Sequence, residues 1–244
     1  MDIIRAELEN ILKTDNFEVT TTFRSRKNSV ALVKIEGQPR VIKYYSPEFV
    51  NRLDNEYSIL QEAKGFGIMV PEVYEKSNSV IIMEYIPGEA LVDTLNGSET
   101  GLKDKQEQVE LLTDWFVKFH TGFRKADRSL LRSDCNLRNF IFGNGKIWGL
   151  DFEETDWGDP VKDIGAVCAA ILDTDPMFTD WKVDLCQIMI DRYRSSVDWT
   201  IDKIDQEIAF ALKDKIQWRP QHAQVLTEMA DKIEHGGIKA IYRV

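Results

Sequence analysis

Long apolar runs, paired cysteines and clustered basic residues are all missing from this chain, and each absence removes a class of function. No stretch approaches the roughly 20 apolar residues that cross a bilayer, so no membrane partner is expected. The opening MDIIRAELEN is acidic and helical in pattern, unlike a secretory signal with its basic head and apolar centre. Cysteine occurs at Cys135, Cys168 and Cys186, an odd and scattered set that predicts reduced thiols and a cytoplasmic protein. Neither these nor His120, His222 and His235 show the close spacing of a zinc site. Lys and Arg total 31 against 41 Asp and Glu, a net charge of −10. That balance argues against a nucleic-acid polymer as partner, because phosphate contacts need clustered cations. Repeats and low-complexity tracts are also absent. What is left is a 244-residue chain, 43% apolar, able to bury the core of one large or two small domains.

What is present changes character along the chain. From Phe17 to Ile86 the segments FEVTTTF, SVALVKI, RVIKYY and SVIIMEYI are rich in β-branched and aromatic residues and predict strands. One helix interrupts them, PEFVNRLDNEYSILQEA, with Phe49, Leu53, Tyr57 and Leu60 on one stripe. Residues 2–13 read as a short amphipathic helix. After Pro87-Gly88 the helical period dominates, over residues 103–121, 161–173, 181–196, 201–217 and 220–235. Strands followed by helices predict an α+β chain, with a β-sheet domain over residues 1–86 and a helical domain over 87–244.

One stretch breaks the helical half: LRSDCNLRNFIFGNGKIWGLDFEE, residues 131–154. Gly143-Asn144-Gly145 between NFIF and KIWGLD signals a hairpin turn. Pairing of the two strands would bring Asn139 and Asp151 to the same open end. Asp134 lies in a loop that can curl back to it. Two carboxylates and an amide suit a hard cation such as Mg²⁺, which shares its other positions with water and phosphate oxygens. Asp and Asn also serve turns and strand ends, and any one of the three alone fits that role. A second pattern lies in RVIKYY, where alternation puts Lys43 on one face with Val41 and Tyr45. An ammonium there needs a partner. Glu56, with Leu53, Ile59 and Leu60 at helical offsets, is available. Such a pair can hold the lysine toward an anionic ligand, or it can be a tolerated pair at the edge of the core.

VIK, NEYSIL, IIMEYIPG, SDCNLRN and GLDFE follow one another in the order and spacing of the protein-kinase-like fold. The resemblance covers residues 17–173. It implies a bilobal α+β architecture, an N-terminal antiparallel β-sheet lobe with one helix and a mainly α-helical C-terminal lobe. SDCNLRN resembles the H-x-D-x-x-x-x-N loop of the aminoglycoside phosphotransferase and choline kinase group. LDFEETDWGDPVKDIG resembles its D-F-E…D-I-G stretch, and WFVKFHTG is similar to its helix ending in Leu-His. The resemblance implies ATP and Mg²⁺ as cofactors and assigns roles by position. Asp134 would be the catalytic aspartate, Asn139 and Asp151 the Mg²⁺ ligands, Lys43 the contact to the α- and β-phosphates, and Glu56 the residue holding Lys43. MEYI would be the hinge, with the backbone carbonyl of Glu84 and amide of Ile86 reading adenine and Met83 lining the pocket. Asp163 would brace the catalytic loop, or serve as an acid at the positive end of its helix.

The chain departs from that pattern twice. Arg132 stands where the group usually has histidine, so the support of the catalytic loop must differ. The phosphate-covering turn, FRSRKNSVAL, has no glycine, and its backbone cannot approach phosphates freely. Ser25, Asn28 and Ser29 are left to donate hydrogen bonds, with Arg24, Arg26 and Lys27 adding charge; a solvated hairpin tip is the plainer reading. Only EETDWG separates Asp151-Phe152 from DPVKD, too short for a peptide platform of the usual kind. That favours a small-molecule hydroxylated acceptor, such as an aminoglycoside, choline or a sugar. Asp156, Asp159, Asp173, Asp175 and Glu153 are candidates to line its pocket, and Trp157, Trp181 and Trp218 to stack on it. Two alternatives stay open: an atypical serine/threonine protein kinase like the RIO group, which also lacks an activation segment, and a catalytically weak nucleotide-binding relative. Nothing in the sequence signals an oligomeric state.

Overall fold

The computed structural model describes residue 9, residue 11, residues 16–23 and residues 27–242. Apart from residues 9 and 11, the helix expected over residues 2–13 lies outside the described residues, as do Arg24, Ser25 and Arg26. The chain divides into two compact units, residues 1–87 with 148–154, and residues 88–147 with 155–244. The stretch 148–154, expected in the helical domain, therefore belongs with the first unit.

In the first unit Phe17–Phe23 (β1), Asn28–Ile35 (β2), Gln38–Tyr45 (β3), Val73–Lys76 (β4) and Val80–Glu84 (β5) form an antiparallel sheet in the order β1-β2-β3-β5-β4. The β2–β3 turn is Glu36-Gly37, with φ of 51° and 78°, the mirror-image turn whose twist suits a hairpin. Its register sets Ala31 opposite Ile42, Val30 opposite Lys43 and Asn28 opposite Tyr45. Because strand side chains alternate, Ala31, Val33, Ile42, Val80 and Ile82 make one apolar cluster. Tyr45, Ile81 and Met83 make another with Leu53 of helix α1, Asn51–Gly65. That helix buries Leu53, Ile59, Leu60 and Ala63, and with them the carboxylate of Glu56. Tyr57, expected on the same stripe, is half-buried, and Phe49 precedes the helix.

The second unit carries helices Leu91–Asn96 (α2), Leu102–Gly122 (α3), Val161–Leu172 (α4), Asp180–Ser196 (α5), Ile204–Asp214 (α6) and Ala223–Gly236 (α7). Its strands are short: Glu89–Ala90 (β6), Arg124–Lys125 (β7), Arg128–Leu131 (β8), Phe140–Gly143 (β9), Lys146–Gly149 (β10) and Asp156–Gly158 (β11). They form two sheets, ordered β10-β9-β6 and β11-β8-β7, and the last residues of β10 already count with the first unit. The β9–β10 turn is Asn144-Gly145, with φ of 52° and 68°, as the Gly-Asn-Gly signal predicts. At Gly88 a Cβ would lie 2.4 Å from the carbonyl oxygen of Phe142, so glycine lets the chain pass β9. Trp115 packs edge-on against Phe116 and Phe140 at ring-centroid distances of 5.2 and 5.3 Å, an arrangement aromatic quadrupoles favour. Among the described residues no helix is long and apolar enough to cross a membrane.

Gly165 of α4 lies against the backbone of α6, where a Cβ would meet the Cβ of Glu207 at 2.7 Å and its carbonyl carbon at 2.8 Å. Alanine is favoured over glycine inside a helix by about 1 kcal/mol, but a backbone neighbour cannot turn aside. Gly165→Ala is therefore expected to destabilise the protein by about 1–3 kcal/mol. The loss should appear as a lower urea midpoint with an unchanged slope.

Candidate functional site

Lys43 leaves β3 on the face it shares with Tyr45 and is 7% exposed. Its Nζ lies 2.7 Å from Glu56 Oε2, 2.7 Å from Asp151 Oδ1 and 3.5 Å from Glu153 Oε2. Burial alone would lower its pKa. The carboxylates of Glu56, Asp151 and Glu153 more than reverse that, so the ammonium stays charged. Glu56 is 1% exposed and satisfied from three sides. Its Oε2 accepts from Lys43 and from the Tyr45 hydroxyl, and its Oε1 accepts from the Phe152 N–H at 3.2 Å. Burial and then the Glu56 carboxylate push the Tyr45 phenol far above its ordinary range, which keeps it a donor. Apolar alternation points to the lysine and its partner; the Tyr45 hydroxyl carries no such signal.

Asp151 adopts a left-handed φ of 62°, a conformation aspartate tolerates better than most residues. Its side chain is the accessible member of an acidic group. The carboxylates of Glu56, Asp151 and Glu153 lie within 4.8 Å of one another around one ammonium. Glu56 and Glu153 are already engaged, so Asp151 is the member with oxygen open to a divalent cation such as Mg²⁺.

Glu153, expected near an acceptor, joins this group instead. Its Oε2 accepts from Asn28 Nδ2 at 2.5 Å, and burial raises its carboxyl pKa despite Lys43. Glu154 Oε1 accepts from Lys27 Nζ and from Arg52 Nη1 of α1, and these bonds, Lys27 first, hold its carboxyl below the usual range. Asn28 is thus brought to the Lys43 group. Ser29 is not: it is exposed opposite Tyr44, on the other face of the sheet. Ser25 lies outside the described residues. Met83 is buried against Tyr45, Leu53 and Ile81, and Ile86 is buried after the strand. Glu84 bonds to Glu72 twice, its N–H donating to the Glu72 carbonyl at 2.8 Å and its carboxylate accepting from the Glu72 N–H at 3.2 Å.

In the second unit Ser133, at φ 60°, turns the chain out of β8 into a tight loop. Asp134 is exposed, and its Oδ1 accepts from the Asn136 N–H at 3.1 Å. Asn136 Oδ1 accepts from the Arg138 N–H at 3.0 Å and caps the short 3₁₀ turn Leu137–Asn139. Asn139 Nδ2 donates to the Asp134 carbonyl at 3.4 Å, and its amide oxygen is the atom that could ligate a cation. Asp163, buried on the first turn of α4, reaches back to it: its Oδ2 accepts from the Arg132 N–H at 2.8 Å and lies 3.1 Å from His120 Nε2. His120 Nδ1 is in turn 2.8 Å from the Tyr193 hydroxyl. Arg132, fully buried, packs its guanidinium 4.8 Å from the Phe140 ring centroid and 5.5 Å from that of Trp115, a favourable cation–aromatic arrangement. Burial, then the Asp163 carboxylate, raises the Cys135 thiol well above its ordinary range and keeps it protonated.

Beside this loop the second unit holds a cavity of about 480 Å³, walled by Asn136, Arg138, Asn96, Asp173, Thr174 and Arg219 among others. Its walls are tied together. Thr174 Oγ1 donates to Asn96 Oδ1 at 3.0 Å, Arg219 Nη1 to the Asp173 carbonyl at 2.7 Å, and Lys182 Nζ to Thr174 Oγ1 at 2.7 Å. Burial lowers the Lys182 pKa to about 8. Asp173 and Asp175 line the cavity. Asp156 and Asp159 instead accept from nearby backbone N–H groups, at Trp157 (2.7 Å) and Val161 (3.0 Å). Trp157 and Trp181 each carry a lysine over the ring, and Trp218 is exposed.

Residues 9–154 match the family described as the RIO domain. The KEOPS complex subunit Bud32 of Pyrococcus abyssi (strain GE5 / Orsay) is 28% identical over 138 residues, which is 53% of this chain. The match spans 59% of that relative's own length. YrzF of Bacillus subtilis (strain 168), named provisionally as a serine/threonine-protein kinase, is 29% identical over 157 residues, 61% of this chain and 68% of that protein. A solved ternary complex of streptomycin, ATP and APH(2")-IIa superposes on 98% of this chain and 94% of that one, with a TM-score of 0.63 at 16% identity. Likeness at such identity concerns the fold, which is the protein-kinase-like α+β fold that the motif order predicts.

Proposed function

The chain belongs to the RIO domain family, and from that premise we propose that it is an ATP-dependent atypical protein kinase, moving the γ-phosphate of ATP to a serine or threonine hydroxyl of a protein. One observation carries this most directly: Lys43, a nearly buried ammonium, is held 2.7 Å from both Glu56 and Asp151. A lysine so restrained is poised as a fixed positive charge for phosphate oxygens, and phosphoryl transfer depends mainly on positioning and charge. The name of the Bacillus relative supports a protein acceptor, and the ATP in the structural neighbour supports the donor.

The roles follow by residue. Lys43 binds the α- and β-phosphates and Glu56 fixes its direction. Asn139 and Asp151 would hold Mg²⁺, which when bound neutralises charge on the phosphates. The Glu84 carbonyl and Ile86 amide read the adenine edge, with Met83 behind it. Asp134 accepts or orients the acceptor hydroxyl's proton. Asp163 and Arg132 position the loop that carries Asp134, one through the backbone N–H and the other by packing under it.

The sequence alone favours a small-molecule acceptor, because EETDWG leaves no room for a peptide platform. Family membership weakens that step, since the RIO group shares the short segment. Here part of it, Asp156–Gly158, pairs with β8. The cavity beside Asn136 and Arg138 still favours a second reading, in which a small polar hydroxyl compound is the acceptor. Incubation with γ-labelled ATP decides between them, using the protein alone, generic protein substrates, and a panel of amino alcohols, sugars and aminoglycosides. Label in protein that disappears with Asp134→Asn is expected. Label confined to a small molecule supports the second reading, and nucleotide binding with no transfer anywhere overturns both.

A further inference from the structure

The glycine-free stretch between β1 and β2 leaves the cover of a phosphate site to side chains, and among the described residues those of Lys27 and Asn28 already hold something else. Lys27 Nζ and Arg52 Nη1 meet on Glu154 Oε1. Asn28 Nδ2 meets Glu153 Oε2 at 2.5 Å. Glu153 Oε1 is also 3.9 Å from Arg52, and its Oε2 is 3.5 Å from Lys43. Two consecutive carboxylates, just after Asp151-Phe152, therefore engage the cations and the amide around Lys43 within the first unit.

A carboxylate and a phosphate oxygen ask the same of these donors: charge-assisted hydrogen bonds from ammonium, guanidinium and amide. Among the described residues Lys27, Lys43 and Arg52 face Glu56, Asp151, Glu153 and Glu154, three cations against four carboxylates. A nucleoside triphosphate cannot share these donors with all four acids. Glu56 is fixed by Tyr45 and by the Phe152 N–H. Glu154, with its side chain 41% exposed, has solvent to move into once Lys27 and Arg52 turn to another anion.

We propose that Glu153 and Glu154 form an acidic latch on the nucleotide site, holding Lys27, Asn28 and Arg52 until the phosphates displace it, so that these three residues are further nucleotide contacts. This deepens the kinase reading and rests on it. The latch opposes phosphates and not adenosine, so it sets a preference that depends on the polyphosphate.

The test is equilibrium titration of the full chain with fluorescent analogues of ATP and of adenosine, with Mg²⁺ present. Wild type is compared with Glu154→Gln, Glu153→Gln and the double variant, and thermal unfolding checks that each folds. Exposed ion pairs of this kind are individually weak, so the double variant is expected to bind the ATP analogue about two- to tenfold more tightly. Its adenosine affinity should not change. Adding Arg52→Gln to the double variant should take back part of the gain. Unchanged ATP affinity in the double variant overturns the latch. Weaker affinity also overturns it, showing that the acids organise the phosphate contacts instead of competing for them. Absence of ATP binding in wild type and every variant overturns the kinase reading itself, and the latch with it.

Discussion

Asp134→Asn is expected to lower phosphate transfer by about 10²–10⁴-fold while nucleotide affinity and the thermal midpoint stay at wild-type values. Asp134 is exposed, and its carboxylate accepts the Asn136 N–H at 3.1 Å. An asparagine keeps that oxygen, so the loop keeps its turn. What it loses is the charged, basic carboxylate able to take a hydroxyl proton. Asp163→Asn makes a useful contrast. Its carboxylate is buried, 2.8 Å from the Arg132 N–H and 3.1 Å from His120, so the change disturbs a positioning contact and stability together. Turnover, ATP affinity and melting measured on both variants separate the roles. Asp134→Asn with transfer within a few-fold of wild type would end the assignment, whatever Asp163→Asn does.

The parts of the fold that could be read in advance are those where a physical cost repeats along the sequence. β2, β3 and β5 alternate or run apolar long enough to show their period, and α3 to α7 do the same at helical spacing. Lys43 and Glu56 stand out because each puts charge where neighbours are apolar, and only a partner makes that tolerable. The Gly-Asn-Gly turn marks its own hairpin. By contrast β6, β7, β8 and β11 have two to four residues each, too few to display any period. Pairs such as Arg52–Glu154 and Lys27–Glu154 join residues more than a hundred positions apart by surface-type side chains, which leave no local trace. Glu153 looked like one loop acid among several; its place beside Lys43 follows from standing two residues after Asp151 on a tightly bent backbone. The acceptor class was hidden for a different reason. A short segment after Asp151 is common to small-molecule kinases and to the RIO group, so its length excludes one kind of platform without choosing between what remains.

Lys43→Met should produce two losses with separate causes, and a short series of variants can pull them apart. Removing a fixed positive charge from a phosphate contact is expected to lower transfer by about 10²–10³-fold, by analogy with deletion of one preorganised donor to a transition-state oxyanion. The same change leaves Glu56, 1% exposed, with the Tyr45 hydroxyl and the Phe152 N–H but no cation. A buried carboxylate stripped of its counter-charge destabilises by about 3–5 kcal/mol. If that is the origin of the instability, adding Glu56→Leu should recover much of it, because leucine extends the apolar face of Leu53, Ile59 and Leu60. Tyr45 would then hold a buried hydroxyl with no acceptor, at about 1–3 kcal/mol, so Tyr45→Phe should recover more. Transfer should stay low throughout the series while the denaturation midpoint climbs back. A midpoint that fails to recover in the triple variant would place the loss elsewhere, in the Asp151 and Glu153 carboxylates that Lys43 also faces. Recovery of transfer along with stability would show that Lys43 serves the fold and not the phosphate.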